Sequence, residues 1–302
     1  MKPLEDEHGL KCTSVTLPST LGDPNSTFKD DIDAARKAII AQTSQGRDVV
    51  AIAHSFGGQV GNSAIKGLTS SKTTKDNVSH PEGTGRVIGL ILIASGFTLT
   101  GLAFMDATFG IPPPSWRINK ETGFADLAQP PQKLFYHDLS PEDADYWVSQ
   151  LGKQNLKAMF EGGEHAYAGW KDVPVYYIGT TQDQGLPVAV QRMQVGMARA
   201  MGANVEHREL ESSHSPFLSM PEECVEIILE AVSAFTGGNS SGTSKTQPAT
   251  PVVRKTIIVP AVRLLSPVSW LRYGLPLLFG RGVGSCISAL AWLRGFWKLS
   301  RD

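Results

Sequence analysis

The sequence predicts an α/β fold: a mostly parallel sheet with helices on both faces and a helical cap insertion. Three observations carry this. Strand-like and helix-like segments alternate over residues 1–236. Residues 86–94 and 173–179 are near-continuous apolar runs, the pattern of strands covered on both faces. Residues 98–172 break the alternation with prolines and no strong strand, as an insertion over one sheet edge would.

Each element follows from local signals. Residues 11–17 (Lys-Cys-Thr-Ser-Val-Thr-Leu) read as a strand stopped by Pro18. Thr27 is placed to cap a helix over 28–42, with Asp30, Asp31 and Asp33 in its early turns where the dipole favours acids. Ile32, Ala35, Ile39 and Ile40 would form its apolar face. Residues 48–53 form an apolar strand candidate, followed by Ala53-His54-Ser55-Phe56-Gly57-Gly58 and a helix from Gln59 to Leu68. Residues 69–85 are a polar loop. In the insertion, helices fit 141–151 and 156–160, and Phe104, Phe109, Trp116, Phe135, Tyr136, Trp147 and Trp170 either line an apolar pocket or form the cap's own core. After it come a strand at 173–179, a helix at 188–201, a strand at 205–210, and a helix at 221–235 with Pro221 in its first turn.

Composition narrows the function. The 302-residue chain carries 28 Lys+Arg against 29 Asp+Glu, so no nucleic acid partner is indicated. Cys12, Cys224 and Cys286 are odd in number, far apart and lack CxxC spacing, which argues against a disulfide framework or a metal site and for a reducing compartment. Residues 1–8 are charged and hold no apolar h-region, so a cytoplasmic protein without a signal peptide is expected.

The 48–60 stretch has the form of a nucleophile elbow, a tight strand–turn–helix with a serine at its tip. Ala53 stands where glycine is usual, and Gly57 and Gly58 supply small residues after Ser55. A serine hydroxyl needs a base, and the base needs an orienting acid. His214 and Asp183 each lie in a loop just after a strand, on the same sheet edge as Ser55, in the chain order Ser, Asp, His. Glu209 and Glu211 are rival acids near His214, less suitably placed. His54 is read as packing or supporting the site. His8, His80, His137, His165 and His207 show no partner pattern, although His137 and His165 in the cap could touch substrate.

On Val15–Ser19, Ala53–Gly57, Leu134–Leu139, Val175–Ile178 with Asp183, and His214–Ser219, the chain resembles fungal members of the α/β-hydrolase superfamily, similar in scheme to plant methylesterases and hydroxynitrile lyases. The resemblance covers about residues 10–236. It implies an α/β-hydrolase fold with Ser55 as nucleophile, His214 as base, Asp183 as its orienting acid and the Phe56 N–H as one oxyanion-hole donor. It implies no cofactor and no metal.

Two departures shape the expectations. Family members begin with a strand whose Gly-rich end gives the second oxyanion N–H. Here the first strand candidate matches the next one, so an N-terminally truncated domain with half the oxyanion donors is expected. At the other end, residues 237–253 read as a flexible linker, and 254–302 as a basic apolar tail interrupted by Arg263, Arg272, Arg281, Pro267 and Pro276. No uninterrupted transmembrane span is read there. The tail suits peripheral membrane contact, with an unstructured tail as the alternative. A chain cut at Gly237 is expected to keep its core. The function expected is hydrolysis of a small apolar ester, lactone or thioester through an acyl-serine. The alternatives are a catalytically silent binding protein and a lyase on the same fold.

Overall fold

The computed structural model of the protein describes residues 2–70, 83–237 and 256–299. Most of the loop expected at 69–85, with His80, and nearly all of the linker lie outside them. Helix α1 (Lys2–Asp6) comes first. The strand expected at 11–17 does not form; the segment is extended but pairs with no strand and leads into a 3-10 turn at Pro18–Thr20. Its β-branched residues have nothing to pack on, since only Cys12 and Leu17 reach the core. Helix α2 (Phe28–Thr43) begins as expected, with a reciprocal capping box between Thr27 and Asp30. Ile32, Ala35 and Ile39 face the core, whereas Ile40 is exposed.

Then follow strand β1 (Val49–His54), helix α3 (Gly57–Ala64) and strand β2 (Val87–Ile93). The insertion holds a hairpin that the sequence did not announce, β3 (Trp116–Asn119) paired antiparallel with β4 (Phe124–Leu127). Gly123, at φ 78°, makes its turn. The cap's helices are α4 (Pro131–Phe135), α5 (Pro141–Ser149) and α6 (Leu156–Phe160). Strand β5 (Val175–Thr180), helix α7 (Val188–Ala200), strand β6 (Val205–Leu210), and helices α8 (Pro216–Ser219) and α9 (Pro221–Phe235) complete the alternation.

The sheet order is β1-β2-β5-β6, all parallel, closed by the short antiparallel strand β7 (Ile257–Ile258) on β6. On one face Leu90, Leu92, Val175 and Tyr177 pack against α2, α3 and α7. On the other, Ile91, Ile93, Tyr176 and Ile178 meet α9 and Leu4. Covering both faces is what makes β2 and β5 read as unbroken apolar runs. Among the described residues β1 is an edge strand, and its residues are mostly half-buried.

The turn after β1 is set by close contact. Ser55 lies in the left-handed region at φ 51°, and its N–H donates to the Ile93 carbonyl at 3.1 Å. A Cβ on Gly58 would come within 1.9 Å of Ser95 Oγ, the hydroxyl that donates to the Ser55 carbonyl at 2.6 Å. A Cβ on Gly57 would meet nothing, so only Gly58 of the pair is sterically required. Gly61 explains why Ala53 is accommodated: a Cβ there would stand 3.0 Å from the Ala53 methyl, so the room Ala53 takes is returned one turn into α3.

The tail is part of the domain rather than separate from it. Beyond β7, α10 (Pro267–Ser269), a π turn at Trp270–Gly274 and α11 (Leu275–Leu299) run on as one long helix. Pro267 falls in the first turn, where no intrahelical N–H is needed, whereas Pro276 sits inside the helix just after the π turn. Pro276 cannot bond the carbonyl four residues back, and that Arg272 oxygen instead accepts Arg192 Nη1 at 2.7 Å. Helix α11 crosses α7 at backbone contact, because Gly196, Gly280 and Gly284 leave no side chain between the Leu277, Met193 and Met197 carbonyls and the facing helix. A cut at Gly237 would thus strip a strand from β6 and a helix from α7, contrary to the expectation of a self-sufficient core.

Beneath this helix pair lies a buried charge group. Arg192 Nε and Nη2 donate to the two Glu209 oxygens, both at 2.7 Å, and the guanidinium stacks 4.4 Å from the Tyr273 ring. Removing one member of such a pair costs roughly 3–5 kcal/mol. His207 is buried beside them, and its pKa is pushed down to about 3 by burial and by the Arg199, Arg192 and Arg208 charges.

Two predictions follow from these contacts. Gly58→Ala should lower stability by about 1–3 kcal/mol through overpacking, while Gly57→Ala melts like the parent; paired thermal melts test the difference. His207 stays neutral when folded but has an ordinary value of 6.5 when unfolded. The unfolded chain therefore binds the proton first, so stability is full above about 6.5 and falls as pH drops toward about 3. His207→Leu should flatten the decline in melting temperature between neutral and mildly acidic pH.

Candidate active site

The parallel register delivers the predicted residues to one sheet edge. Ser55 follows β1, Asp183 follows β5 and His214 follows β6, so each stands at the carboxyl end of its strand. His214 Nε2 is 2.9 Å from Ser55 Oγ, and His214 Nδ1 is 2.7 Å from Asp183 Oδ2. The three side chains expected to act together are thus within hydrogen-bond reach in the expected sequence. Asp183 and His214 are buried, whereas Ser55 is partly exposed.

The acid is held on all sides. Asp183 Oδ1 accepts the Gly185 and Leu186 N–H groups at 2.8 and 2.7 Å. Its Oδ2, besides facing His214, accepts Thr180 Oγ1 at 2.9 Å and Gln191 Nε2 at 3.2 Å. Gln191, fully buried on α7, also takes the Thr180 N–H on its Oε1 at 3.1 Å and donates to the Leu186 carbonyl at 2.7 Å, tying both ends of the acid loop together. The rival acids are disposed of by their contacts: Glu209 is committed to Arg192, and Glu211 faces Gln182 Nε2 at 3.4 Å.

His54 points behind the serine. Its Nε2 lies 2.9 Å from the His214 carbonyl, which can only accept, so that nitrogen carries the proton. Burial, then the neighbouring His214, push its pKa down to about 3, and it stays neutral beside that residue. The cap supplies the rest of the frame. Asp138 Oδ2 accepts the Ser213 N–H at 2.7 Å, and Ser213 Oγ donates to the Phe135 carbonyl at 2.7 Å. Burial alone would raise the Asp138 pKa, but hydrogen bonding from Ser213 outweighs it and holds the group below the usual carboxylate value. His137 Nε2 donates to the Gln182 carbonyl at 2.9 Å, so it braces the acid loop from the cap side. His165 stands on the surface beside Glu164.

The Phe56 N–H, the expected oxyanion donor, starts α3 and makes no hydrogen bond among the described residues. The cap aromatics divide. Trp170 and Tyr136 are core, Phe109 is 92% exposed, and Trp116 packs on Phe160. Phe104 meets the ring of Phe56, the residue after the serine, at 5.3 Å, and Phe135 meets the His214 ring at 5.3 Å. Sequence reasoning missed Gln191 and Asp138, whose roles depend on partners far along the chain. Among the described residues no group of His, Cys, Asp and Glu is arranged to hold a metal ion.

Known proteins agree with this architecture. The profile of the alpha/beta hydrolase family matches residues 2–227. The alpha/beta hydrolase nvfD of Aspergillus novofumigatus is 28% identical over 224 residues, spanning 73% of this chain and 85% of that protein. A probable hydrolase R7 of a Phoma species is 26% identical over 74% of this chain and 86% of its own. Among solved structures, polyneuridine aldehyde esterase superposes with a TM-score of 0.56 at 20% identity, over 76% of this chain and 91% of that one. The methylesterase MES16 of Arabidopsis gives 0.53 at 20% identity, over 77% and 91%. At these identities the superpositions speak for the fold, and with the matched profile they lead to one conclusion: the chain belongs to the alpha/beta hydrolase family.

Proposed function

We propose that this protein is a serine hydrolase of a small apolar carboxylic ester, lactone or thioester, working through an acyl-serine. The carrying observation is the hydrogen-bonded line from Ser55 Oγ through His214 to Asp183. In this reading His214 Nε2 takes the hydroxyl proton as Ser55 Oγ attacks the substrate carbonyl. The carbonyl π electrons move onto oxygen, toward the Phe56 N–H. Collapse of the adduct expels the alcohol or thiol, which receives the proton from His214, and leaves Ser55 acylated. Water then attacks the acyl carbon, gives its proton to His214, and Ser55 Oγ departs with that proton, releasing the acid.

The supporting residues have defined parts. Asp183 orients the imidazole and stabilises its cation, and Gln191 keeps Asp183 in place. A neutral His54 behind His214 adds no positive charge against the imidazolium. Phe104 and Phe135 give the approach an apolar lining, which favours a hydrophobic acyl or alcohol group. Relatives named as hydrolases and a solved neighbour named as an esterase support the same class. One observation favours a silent binding protein instead: β1, the strand that carries Ser55, is an edge strand with half-buried residues.

A fluorophosphonate probe separates the readings. The folded protein is expected to be labelled, and Ser55→Ala to abolish labelling; an unlabelled but folded parent would favour the binding reading. Turnover of a p-nitrophenyl ester should vanish in Ser55→Ala and His214→Ala and fall about 10⁴-fold in Asp183→Asn. Gln191→Leu should lower kcat with KM little changed; a loss confined to KM would show that Gln191 does not act through Asp183.

A further inference from the structure

Helix α11 is apolar on two sides. One side carries Leu277, Val283 and Ile287 with the glycines that meet α7. On the other, Leu275, Phe279, Leu290 and Leu293 recur at helical spacing and share one face. All four are exposed, Phe279 at 66% and Leu290 at 60%, and Leu265 and Leu271 upstream of them are exposed too. A helix apolar around most of its girth belongs against something on both sides, and among the described residues only one side is occupied.

The charge around this face selects the occupant. Arg263 and Arg272 are exposed near the start of the helix and Arg281 further along it, and the sequence holds no Asp or Glu between Glu230 and Asp302. Two copies meeting face to face would set these cations against each other with no acid of the segment to answer them. An anionic surface would be attracted by the same charges.

We propose that the outer face of α11 seats the protein on an anionic lipid bilayer, lying in the interface and not crossing it. By length and composition Pro267–Leu293 would suffice to span a membrane. Its first half, however, is held on α7 by backbone contact, with Gly284 against Ala200 at the end of that helix. That contact keeps the first half against the domain and out of the hydrocarbon core of a bilayer. The geometry is that of an interfacial helix with leucine and phenylalanine inserted and arginines at headgroup level.

The test sediments the full chain with phosphatidylcholine vesicles with and without phosphatidylserine, at low and high salt. The expected result is binding to the phosphatidylserine vesicles that high salt weakens. The combined variant Leu275→Glu, Phe279→Glu, Leu290→Glu and Leu293→Glu should lower that binding by more than about tenfold, with the melting curve showing that the fold survives. Arg281→Glu alone should shift binding in the same direction by less. No binding by the parent, equal binding to both vesicle types, or undiminished binding by a folded combined variant would each overturn the proposal. So would a dimer in vesicle-free buffer that the combined variant abolishes, since the face would then belong to a second copy. If substituted chains do not fold, competition by soluble inositol hexakisphosphate on the parent decides: insensitivity removes the role of the arginines and with it the proposal.

Discussion

Everything at the site depends on how closely β1 and α3 approach each other around Ser55. A serine at φ 51° pays a backbone cost that an L-residue accepts only when its surroundings leave no alternative. The surroundings here are the Ile93 carbonyl on its N–H, the Ser95 hydroxyl on its carbonyl, and a helix with no Cβ at Gly58. Tyr177 extends the chain of constraint, since its hydroxyl donates to the Ser95 carbonyl at 2.6 Å from the neighbouring strand. The strained residue is thus clamped by three consecutive strands' worth of structure, and its side chain is aimed at His214 as a result.

The acid side is built on different physics. There the backbone is relaxed and the positioning is done by hydrogen bonds converging on Asp183. Gly185 and Leu186 of its own loop supply two and Thr180 at the end of β5 a third, but Gln191 belongs to α7, and the next residue, Arg192, anchors α7 to Glu209 on β6. Helix α7 in turn is covered by α11. A path of direct contacts therefore joins the C-terminal helix to Asp183 and, through it, to His214. The cap adds a second hold on the same loops through Asp138 and His137.

How much of this could be read from the chain depends on how local each cause is. Ser55, Asp183 and His214 were legible because each follows a strand marked by its own apolar run, and parallel strands place their ends together. The sheet core was legible for the same reason. The segment at 11–17 misled because β-branched residues express a preference that only burial rewards, and Val15 is exposed. The cap hairpin has four-residue strands, too short to show a period. Helix α11 hid behind arginines and prolines that break hydropathy without breaking a helix. Gln191 and Asp138 could not be found at all by spacing, since each acts on a loop that only the fold brings near.

The bond between Arg192 and the Arg272 carbonyl has a consequence for how the chain is made. A ribosome releases residue 192 and its partner Glu209 well before residue 272, so the guanidinium emerges with one of its acceptors not yet synthesised. The edge of β6 waits likewise for Ile257. The part of the domain that carries Ser55, Asp183 and His214 can gather its sheet as it emerges, but the support beneath the Asp183 loop closes only when the segment translated last folds back onto it. A premature stop after His214 and before Arg272 therefore yields a chain with every candidate site residue present and its underpinning absent.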